Sequence, residues 1–369
     1  MKCALLEAAC IALLLLSACK TETSKKLDYR VIEEINISIP DSVNYSFQLW
    51  LPLEVGSDRY VAGLADNKIE FFDLSSGQHV YRIDLNLDGP NGVGQVIQFY
   101  FHNFDSVFLF SNSDNAIYLI DSTSKIVNKY SVNDALSEIS GASSITCFLN
   151  KGDRIMYDSQ KGELLLRTNP PFDIAKDYRA YKHPYKVSYD IENKSITSFF
   201  GVYPDEFLDE GKYYSQDFEI AYCADCPKKV FSFRRSHDLF EVDVNTNKVK
   251  QTYGAKSIYI ENTFELIPRD SEANTLIRHF GQSPYYGNIL YDEDRKLYYR
   301  LVGHRTDEGE RRNSSIIVLD EDLAMIGEFF LPADKYFINS AQVTSEGIII
   351  YKINDIEDAL TYDIISPVL

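Results

Sequence analysis

The sequence is poor in the residues that build metal and redox centres. It has six histidines and six cysteines among 369 residues. The histidines show neither a His-x-His nor a His-Glu-x-x-His spacing, and no second cysteine pair accompanies Cys223 and Cys226. Because a structural zinc site needs four ligands, this supply excludes the common zinc motifs. We predict no metal site, no cofactor and no catalytic group.

Basic residues are outnumbered by acidic ones. The chain has 37 lysines and arginines against 55 aspartates and glutamates, which gives a formal net charge of -18. Binding to nucleic acid needs basic side chains that neutralise phosphates, so we predict no nucleic-acid partner. The acidic surface could attract cationic partners or divalent ions, or it could serve only solubility.

Long hydrophobic runs are absent after the first sixteen residues. The apolar run 8–16 is too short to span a membrane, which takes about 20 apolar residues. It follows Lys2 and ends in Leu16-Ser17-Ala18-Cys19, so it has the length and the flanks of a secretory signal. We predict that residues 1–18 are a signal peptide.

The residues before Cys19 resemble the lipobox of bacterial lipoproteins. In that motif a peptidase cuts before the cysteine, which carries a diacylglycerol and usually a third acyl group such as palmitate. The resemblance implies that Cys19 anchors the chain to a membrane, with a plain cleaved signal as the alternative. No aspartate follows Cys19, which favours the outer membrane of the cell envelope, facing either the periplasm or the outside. We expect residues 19–28 to be the lipidated cysteine and a flexible tether.

Three cysteines lie downstream of Cys19. An exported chain meets an oxidising compartment, which permits disulfides. The short spacing of Cys223 and Cys226 predicts a local disulfide, although a redox pair and half of a zinc site share that spacing. Cys147 lies in an apolar run, and we predict that it is a buried free thiol.

The rest of the chain has the pattern of an all-β protein. Short alternating runs follow one another, and helical periodicity is nearly absent. One motif repeats: a strand ends in aspartate and a polar turn follows. Its copies end at Asp73, Asp121, Asp190, Asp243 and Asp320. The aspartate can accept hydrogen bonds from the amides of the turn that it opens.

Repeated four-stranded units of roughly 40 to 50 residues are typical of a β-propeller. We predict one propeller domain over residues 29–369, with six blades; seven remain open because the third is long. The predicted blades are 43–87, 92–132, 141–203, 212–256, 285–332 and 336–369. The last has three good strands, and we expect the N-terminal strand 29–39 to supply its fourth and close the ring. We predict a monomer.

Two long segments fit no blade. They are 169–184 and 261–283, and the second contains a candidate helix at 271–280. Segments of this length within a compact domain are often functional. The alternative is a cap packed on the propeller.

Asn91 is the first candidate for a ligand-facing loop. It lies in the run 88–94, which is rich in glycine and proline. A phosphate-binding loop would need a helix directly after it, whereas the residues that follow Gly94 predict a strand. We therefore interpret the run as a tight turn that could present Asn91.

His304 and Arg305 are the other two candidates for a ligand-facing loop. They lie in a polar run that continues into the acidic stretch 307–310. The alternative for these residues is a solvated loop without a ligand. The acidic stretch could bind calcium, but it lacks the spacing of a calcium loop, and a solvated turn is the simpler interpretation.

Short pieces distributed over the mature chain point to a family. They are the lipobox at Cys19, Gly89-Pro90-Asn91-Gly92, Phe231-Ser232-Phe233, Tyr291-Asp292, Tyr298-Tyr299-Arg300, Ser315-Ile316-Ile317-Val318-Leu319-Asp320, Gly327-Glu328, Leu331-Pro332 and Ser345-Glu346-Gly347-Ile348. Together they resemble uncharacterised lipoproteins of Bacteroidota, a domain-of-unknown-function family placed among β-propellers. The resemblance implies the fold and the location, and it brings no activity.

These observations favour a non-enzymatic binding or scaffolding module for a peptide, glycan or protein partner. The alternatives are a polysaccharide-acting hydrolase or lyase on a propeller scaffold, and a sensor partner of a membrane complex. Propellers host enzymes as well as binding modules, so the fold does not decide between these hypotheses.

Overall fold

The computed structural model describes residues 25–369, apart from 42, 44–49, 57, 112, 140–145, 148–155, 170–176, 185, 202, 204–211, 214–220, 223–227, 244–245, 247, 262–263, 266, 269–270 and 354–358. The fold of this part is all-β, with few and short helices. The predicted fold class is therefore confirmed at the level of secondary structure.

The chain begins with strand β1 (Lys26–Ser38), which joins the last strands of the chain. Two four-stranded antiparallel sheets follow, each with its strands in chain order. Sheet 1 contains β2 (Trp50–Val55), β3 (Asp58–Ala65), β4 (Lys68–Asp73) and β5 (His79–Asp84). Sheet 2 contains β6 (Val96–Asn103), β7 (Ser106–Ser111), β8 (Ala116–Ile120) and β9 (Ile126–Tyr130).

Sheets 3 and 4 come next along the chain. Sheet 3 contains β10 (Thr146–Cys147), β11 (Met156–Asp158), β12 (Glu163–Asn169), β13 (Lys186–Asp190) and β14 (Ser195–Phe200). A separate strand, β15 (Lys212–Tyr213), precedes sheet 4, which contains β16 (Ala221–Tyr222), β17 (Val230–Ser232), β18 (Asp238–Asp243) and β19 (Lys248–Gly254). Strand β20 (Ile267–Pro268) pairs with β15.

The last seven strands of the chain and the first strand, β1, form an eight-stranded sheet, which we describe as two halves. Sheet 5 is the half that contains β21 (Tyr285–Asp292), β22 (Leu297–Gly303), β23 (Ser314–Leu319) and β24 (Met325–Leu331). Sheet 6 is the half that contains β25 (Gln342–Thr344), β26 (Gly347–Lys352), β27 (Ala359–Val368) and β1. Each of the six blade ranges predicted from the sequence encloses strands of one of these sheets; the range 141–203 holds five strands, and the range 212–256 also encloses β15.

The N-terminal strand pairs with the last strand of the chain, as predicted. β1 lies antiparallel to β27, from Asp28 opposite Val368 to Ser38 opposite Ala359. Its first residues also pair in parallel with β24, where Lys26 lies opposite Glu328. Strand β1 therefore begins three residues before the predicted start at residue 29, and residues 26–28 belong to the sheet rather than to the predicted tether.

The repeated aspartates accept hydrogen bonds from backbone amides of the turns that follow them. The donors are Ser76 to Asp73 (2.6 Å), Thr123 to Asp121 (2.9 Å), Glu192 to Asp190 (2.8 Å), Thr246 to Asp243 (3.1 Å) and Asp322 to Asp320 (2.9 Å). Each turn joins the last two strands of its sheet, in sheets 1 to 5. In sheet 6 the corresponding strands are β27 and β1, which no turn joins, so the motif has no place there.

Each sheet packs against the next through apolar side chains. Aromatic pairs join sheets 1 and 2 (Phe71 and Phe101, 5.3 Å between ring centres), sheets 2 and 3 (Phe108 and Tyr157, 5.1 Å) and sheets 3 and 4 (Phe200 and Phe231, 6.5 Å). Buried clusters join sheets 4 and 5, sheets 5 and 6, and sheets 6 and 1. The contacts thus return to the first sheet, so the core is a succession of interfaces between neighbouring sheets.

Few helices interrupt the strands. The structure has α1 (Val132–Ser137), α2 (Ala273–Gln282) and 3-10 helices at Tyr178–Lys182 and Ile338–Ser340. Helix α2 confirms the helix predicted in the long segment 261–283, shifted by two residues. No helix in the described ranges is both long and apolar enough to cross a bilayer.

Candidate functional site

Helix α2 lies beside the connection between β22 and β23, at one end of the strands of sheet 5. The amide of Thr306 in this connection donates to the carbonyl of Gln282 over 3.0 Å. Arg312, from the same connection, donates from Nη1 to the carbonyl of Ser283 over 2.7 Å and from Nη2 to that of Gly281. These bonds hold the connection against the C-terminal end of the helix.

The local sequence explains where α2 ends and which face it buries. Ser283 precedes Pro284 and has an extended backbone (φ -70°, ψ 148°), as residues before proline usually do. Leu276 is buried, whereas Ile277 is 68% exposed. The last carbonyls of a helix lack partners within it and carry partial negative charge, so the donors and the positive charge of Arg312 stabilise this end.

A cleft of about 360 Å³ lies between α2 and the β22–β23 connection, and we call it the α2 cleft. Its lining residues are Asn274, Ile277, Arg278, Gly281, Gln282, Thr306, Asp307, Glu308, Gly309 and Glu310. They carry three carboxylates and one guanidinium. The guanidinium belongs to Arg278, whose Nε lies 3.6 Å from Glu308 Oε2, and this ion pair bridges the helix and the connection.

A chain of buried polar side chains starts next to the α2 cleft, at His304. His304 Nε2 lies 2.7 Å from Ser315 Oγ, and the Ser315 hydroxyl donates to the carboxylate of Glu328. Because that hydroxyl has a single proton, we assign the donor proton between His304 and Ser315 to Nε2. Glu328 also accepts from Ser257 Oγ and from the amide of Ile258, each over 2.7 Å.

Burial shifts the pKa of both titratable side chains in this series, His304 and Glu328. Burial lowers the pKa of His304 to about 4, and the positive charge of Arg312 acts in the same direction. His304 is therefore neutral at pH 7. Burial raises the pKa of Glu328, while the hydrogen bonds from Ser315 and Ser257 oppose that rise.

Arg300 is a second buried polar centre in sheet 5. Its guanidinium donates to Ser232 Oγ (2.9 Å) and to the carbonyls of His237 (2.7 Å), Ala255 (3.0 Å), Ser236 (2.8 Å) and Asp238 (3.2 Å). Burial lowers the pKa of Arg300 to about 10, so it remains charged at pH 7. Arg300 thus fixes the turn before β18 and the segment after β19 onto β22.

Tyr286 links the two buried centres. Its hydroxyl lies 2.8 Å from His237 Nδ1 and accepts from the amide of Ser257 over 2.9 Å. Ser257 in turn donates to Glu328. Burial raises the pKa of Tyr286 to about 12. One hydrogen-bonded network therefore joins sheet 4, the segment after β19 and sheet 5.

The chemical capacities of the buried network and of the α2 cleft differ. The side chains of Arg300, His304, Glu328 and Tyr286 are buried and bonded to protein groups, so they stabilise the contacts among sheet 4, the segment after β19 and sheet 5. The cleft has three exposed carboxylates and the side-chain amides of Asn274 and Gln282, which can bind a ligand through charge and hydrogen bonds. Across the described ranges, no three His, Cys, Asp or Glu residues lie close enough together to hold a metal ion.

Asn91 is exposed in a turn between β5 and β6, far along the chain from the α2 cleft. The amide of Gly92 donates to the carbonyl of Gly89 over 2.9 Å, and Gly89 has φ +90°, which suits glycine. The tight turn and the strand after it are therefore confirmed. Among the contacts of the described residues, none joins Asn91 to His304 or Arg305, so its ligand-facing role stays a prediction.

His304 and Arg305 have different environments. Arg305 is exposed and lies 3.3 Å from Glu265. The interpretation of His304 as part of a solvated loop is wrong, since His304 is 7% exposed. Its ring stacks on Tyr259 with 4.7 Å between ring centres and packs against Phe330. Aromatic neighbours from distant segments bury this histidine, and a local polar run cannot reveal them.

The cysteines fall into two groups. Cys147 is buried, as predicted, and its thiol donates to the carbonyl of Arg167 over 2.9 Å. Cys19, Cys223 and Cys226 lie outside the described residues. The lipid on Cys19 and the disulfide between Cys223 and Cys226 therefore stay predictions.

The sequence interpretation misses the buried charges of Arg300 and Glu328 and the helix contact of Arg312. A signal for the first two is present, because each is a single charged residue inside an apolar strand of sheet 5. Burial of such a charge is costly without partners, so it predicts a specific polar network. For Arg312 the sequence carries no comparable signal.

A family model now places the chain among known proteins. The model of DUF4221, a domain of unknown function, matches residues 53–329. The chain belongs to the DUF4221 family. This membership confirms the resemblance to a domain-of-unknown-function family, and none of the curated proteins matches the chain.

Two of the solved structures similar to this DUF4221 chain come from Bacteroides species. One is a DUF4221 family member from Bacteroides vulgatus, with 18% sequence identity and a TM-score of 0.79, over 94% of this chain and 99% of that chain. Another is a protein from Bacteroides fragilis, with 10% identity and a TM-score of 0.53, over 95% of this chain and 98% of that one. At these identities the likeness concerns the fold alone.

Proposed function

We propose that this DUF4221 chain is a six-bladed β-propeller with sheets 1 to 6 as its blades. The succession of contacts from sheet 1 to sheet 6 and back to sheet 1 supports this arrangement. The pairing of β1 with β27 completes the last sheet with a strand from the other end of the chain, a way to close a ring without an exposed edge. The repeated aspartate turns of sheets 1 to 5 then lie at equivalent positions of five blades.

The propeller acts as a binding or scaffolding module, and the α2 cleft is the site where it binds a peptide, glycan or protein partner. The observation that carries this proposal is the contrast between the cleft and the network beside it. His304, Glu328 and Arg300 are buried and held by protein groups. The exposed cleft has side chains that suit recognition, and bonds from Thr306 and Arg312 hold both of its walls before any ligand arrives.

The module is held to the outer membrane by lipid on Cys19. Six residues separate Cys19 from β1, and a chain of that length spans roughly 20 Å at most. The propeller therefore stays close to the bilayer. In cells fed labelled palmitate, the wild-type chain should carry label in the membrane fraction and Cys19→Ser should not; equal labelling of both would refute the anchor.

Binding without turnover is tested on the purified chain. Panels of peptides and oligosaccharides are added, the Tm is measured, and the ligands are then analysed by mass spectrometry. The proposal predicts that at least one ligand raises the Tm and is recovered intact. Cleavage of a ligand at a rate proportional to protein concentration would contradict the binding function and favour a polysaccharide-acting enzyme.

A further inference from the structure

We infer that the α2 cleft binds a peptide segment with a basic side chain next to an apolar one. This inference rests on the proposed binding function and names the class of ligand. It begins from the charges of the lining. Three exposed carboxylates, those of Asp307, Glu308 and Glu310, stand on the connection, and Arg278 is the one basic residue among the ten that line the cleft. The formal charge of this lining is therefore -2, which complements a cationic ligand.

The structure also indicates which kind of group the acidic wall of the cleft, formed by Asp307, Glu308 and Glu310, accepts. The guanidinium of Arg278 reaches from the helix to Glu308 on the connection. Both side chains are largely exposed, at 64% and 76% of their surface, and an exposed ion pair of this kind contributes little to stability. A lysine or arginine of a ligand can therefore replace Arg278 on Glu308 at little cost. The ion pair of Arg278 with Glu308 thus shows the contact that a basic side chain of a ligand would make.

An apolar side chain stands beside the charged wall. Ile277 lines the cleft and is 68% exposed, the highest exposure among the large hydrophobic residues of the described part. Burying this side chain against an apolar group of a ligand would favour binding. A ligand with an apolar residue next to its basic residue would use both features.

The remaining lining residues suit the backbone of a peptide. Asn274 and Gln282 have amide side chains that both donate and accept, and the Thr306 hydroxyl, which donates to carbonyls of its own connection, can still accept. The volume of about 360 Å³ lies at the lower end of the usual range of about 300–1,000 Å³ for ligand sites. The cleft therefore fits a short segment of two or three residues rather than a folded partner domain.

The experiment measures binding of two fluorescent peptides to the intact chain by anisotropy. The probe peptide contains Leu-Lys-Leu between glycines, and the matched peptide contains Leu-Gln-Leu. The inference predicts that the lysine peptide binds about tenfold more tightly, because a charged group gains about 1.4 kcal/mol from the acidic wall. It also predicts that salt weakens only the binding of the lysine peptide.

Variants of exposed residues locate the binding without disturbing the fold. The triple variant Asp307→Asn, Glu308→Gln, Glu310→Gln should weaken the binding of the lysine peptide about tenfold, because it removes the whole charge attraction of the connection for lysine. Arg278→Gln should strengthen it about threefold, because it removes the competing guanidinium. The control Glu293→Gln, Asp294→Asn changes exposed acids in the turn between β21 and β22 and should shift the affinity less than twofold. Unchanged Tm values verify that all variants fold.

Three results would overturn the inference. They are equal affinity for both peptides, equal weakening by the triple variant and by the control, and no binding of either peptide. A neutral oligosaccharide serves as the second probe and separates this failure from failure of the proposed function. If the oligosaccharide binds and is recovered intact while the lysine peptide does not bind, only the inference that the ligand is a basic peptide is refuted. If a probe is cleaved, the proposed binding function itself is refuted.

Discussion

The guanidinium carbon of Arg300 lies 3.6 Å from the centre of the Tyr286 ring, and neither side chain is exposed to solvent. Arg300 makes no ion pair with a carboxylate among the described residues; an aromatic ring, a hydroxyl and four backbone carbonyls surround it instead. The planar guanidinium has five donors in a fixed geometry, and five partners meet them here. This relationship makes Arg300 a structural arginine that holds sheet 4 to sheet 5.

Replacement of Arg300 by lysine should destabilise the protein strongly. Lysine keeps the charge but has three donors, so at least two buried acceptors lose their partner, each at about 1–3 kcal/mol. We expect the free energy of unfolding in urea to fall by about 3–5 kcal/mol. The control is Arg311→Lys, which changes an exposed arginine and should have almost no effect. A loss below about 1 kcal/mol for Arg300→Lys would show that the network is not tightly coupled.

His304 should make stability depend on pH. Its pKa is about 4 in the folded protein and about 6.5 in an unfolded chain. Between these pH values the unfolded state binds a proton that the folded state does not, so stability falls as the pH drops from about 6.5 to about 4. At about 1.4 kcal/mol per unit, the loss is roughly 3 kcal/mol.

The variant His304→Gln isolates this contribution. The raised pKa of Glu328 acts in the opposite direction, since its contribution is lost as the pH rises, but it is common to both proteins. The difference in unfolding free energy between the wild type and His304→Gln should therefore shrink by roughly 3 kcal/mol from pH 7 to pH 4. A difference that stays constant with pH would contradict the buried neutral histidine.

The pairing of β1 with β27 should contribute to global stability. Ile37 is completely buried and Ile32 in the same strand is 45% exposed. Ile37→Ala should lower the free energy of unfolding by about 2–5 kcal/mol, because it leaves a cavity, whereas Ile32→Ala should cost much less. Urea unfolding of both variants provides the comparison. Equal effects of the two substitutions would argue against the closing role of this strand.

The aspartate turns allow a test of the repeat. Asp320 Oδ1 accepts from the amides of Asp322 and Ala324, each over 2.9 Å. Asp320→Ala should lower the free energy of unfolding by about 1–2 kcal/mol, because these hydrogen bonds are lost. Glu321→Ala in the same turn is the matched control and should be nearly neutral, because its side chain is exposed. If both variants unfold at the same urea concentration as the wild type, the turn aspartate is not a stabilising element.

Local chemistry makes much of the fold predictable. An aspartate followed by polar turn residues binds its own turn, so the sequence around Asp73 and around Asp320 predicts equivalent turns, which the hydrogen bonds confirm. The pairing of β1 with β27 also follows from the pattern, because the last sheet has too few strands without β1. The predicted start of β1 is too late, since the parallel pairing of Lys26 with β24 is a long-range contact.

The candidate site is predictable only in parts. The sequence predicts the helix in segment 261–283 and shows the acidic stretch 307–310, but as separate features. Their meeting depends on Arg312, whose bonds to Gly281 and Ser283 span about thirty residues of chain. The solvated-loop interpretation of His304 fails for the same reason: Tyr259, which covers it, comes from another segment.

The most direct test of the proposed binding site is hydrogen–deuterium exchange of the intact chain with and without a saturating concentration of the Leu-Lys-Leu peptide. We predict slower exchange at residues 274–282 and 306–310, which form the two walls of the α2 cleft, and unchanged exchange in the turn at 88–94. Protection at 88–94 instead, or no protection at either wall, would contradict binding in the α2 cleft.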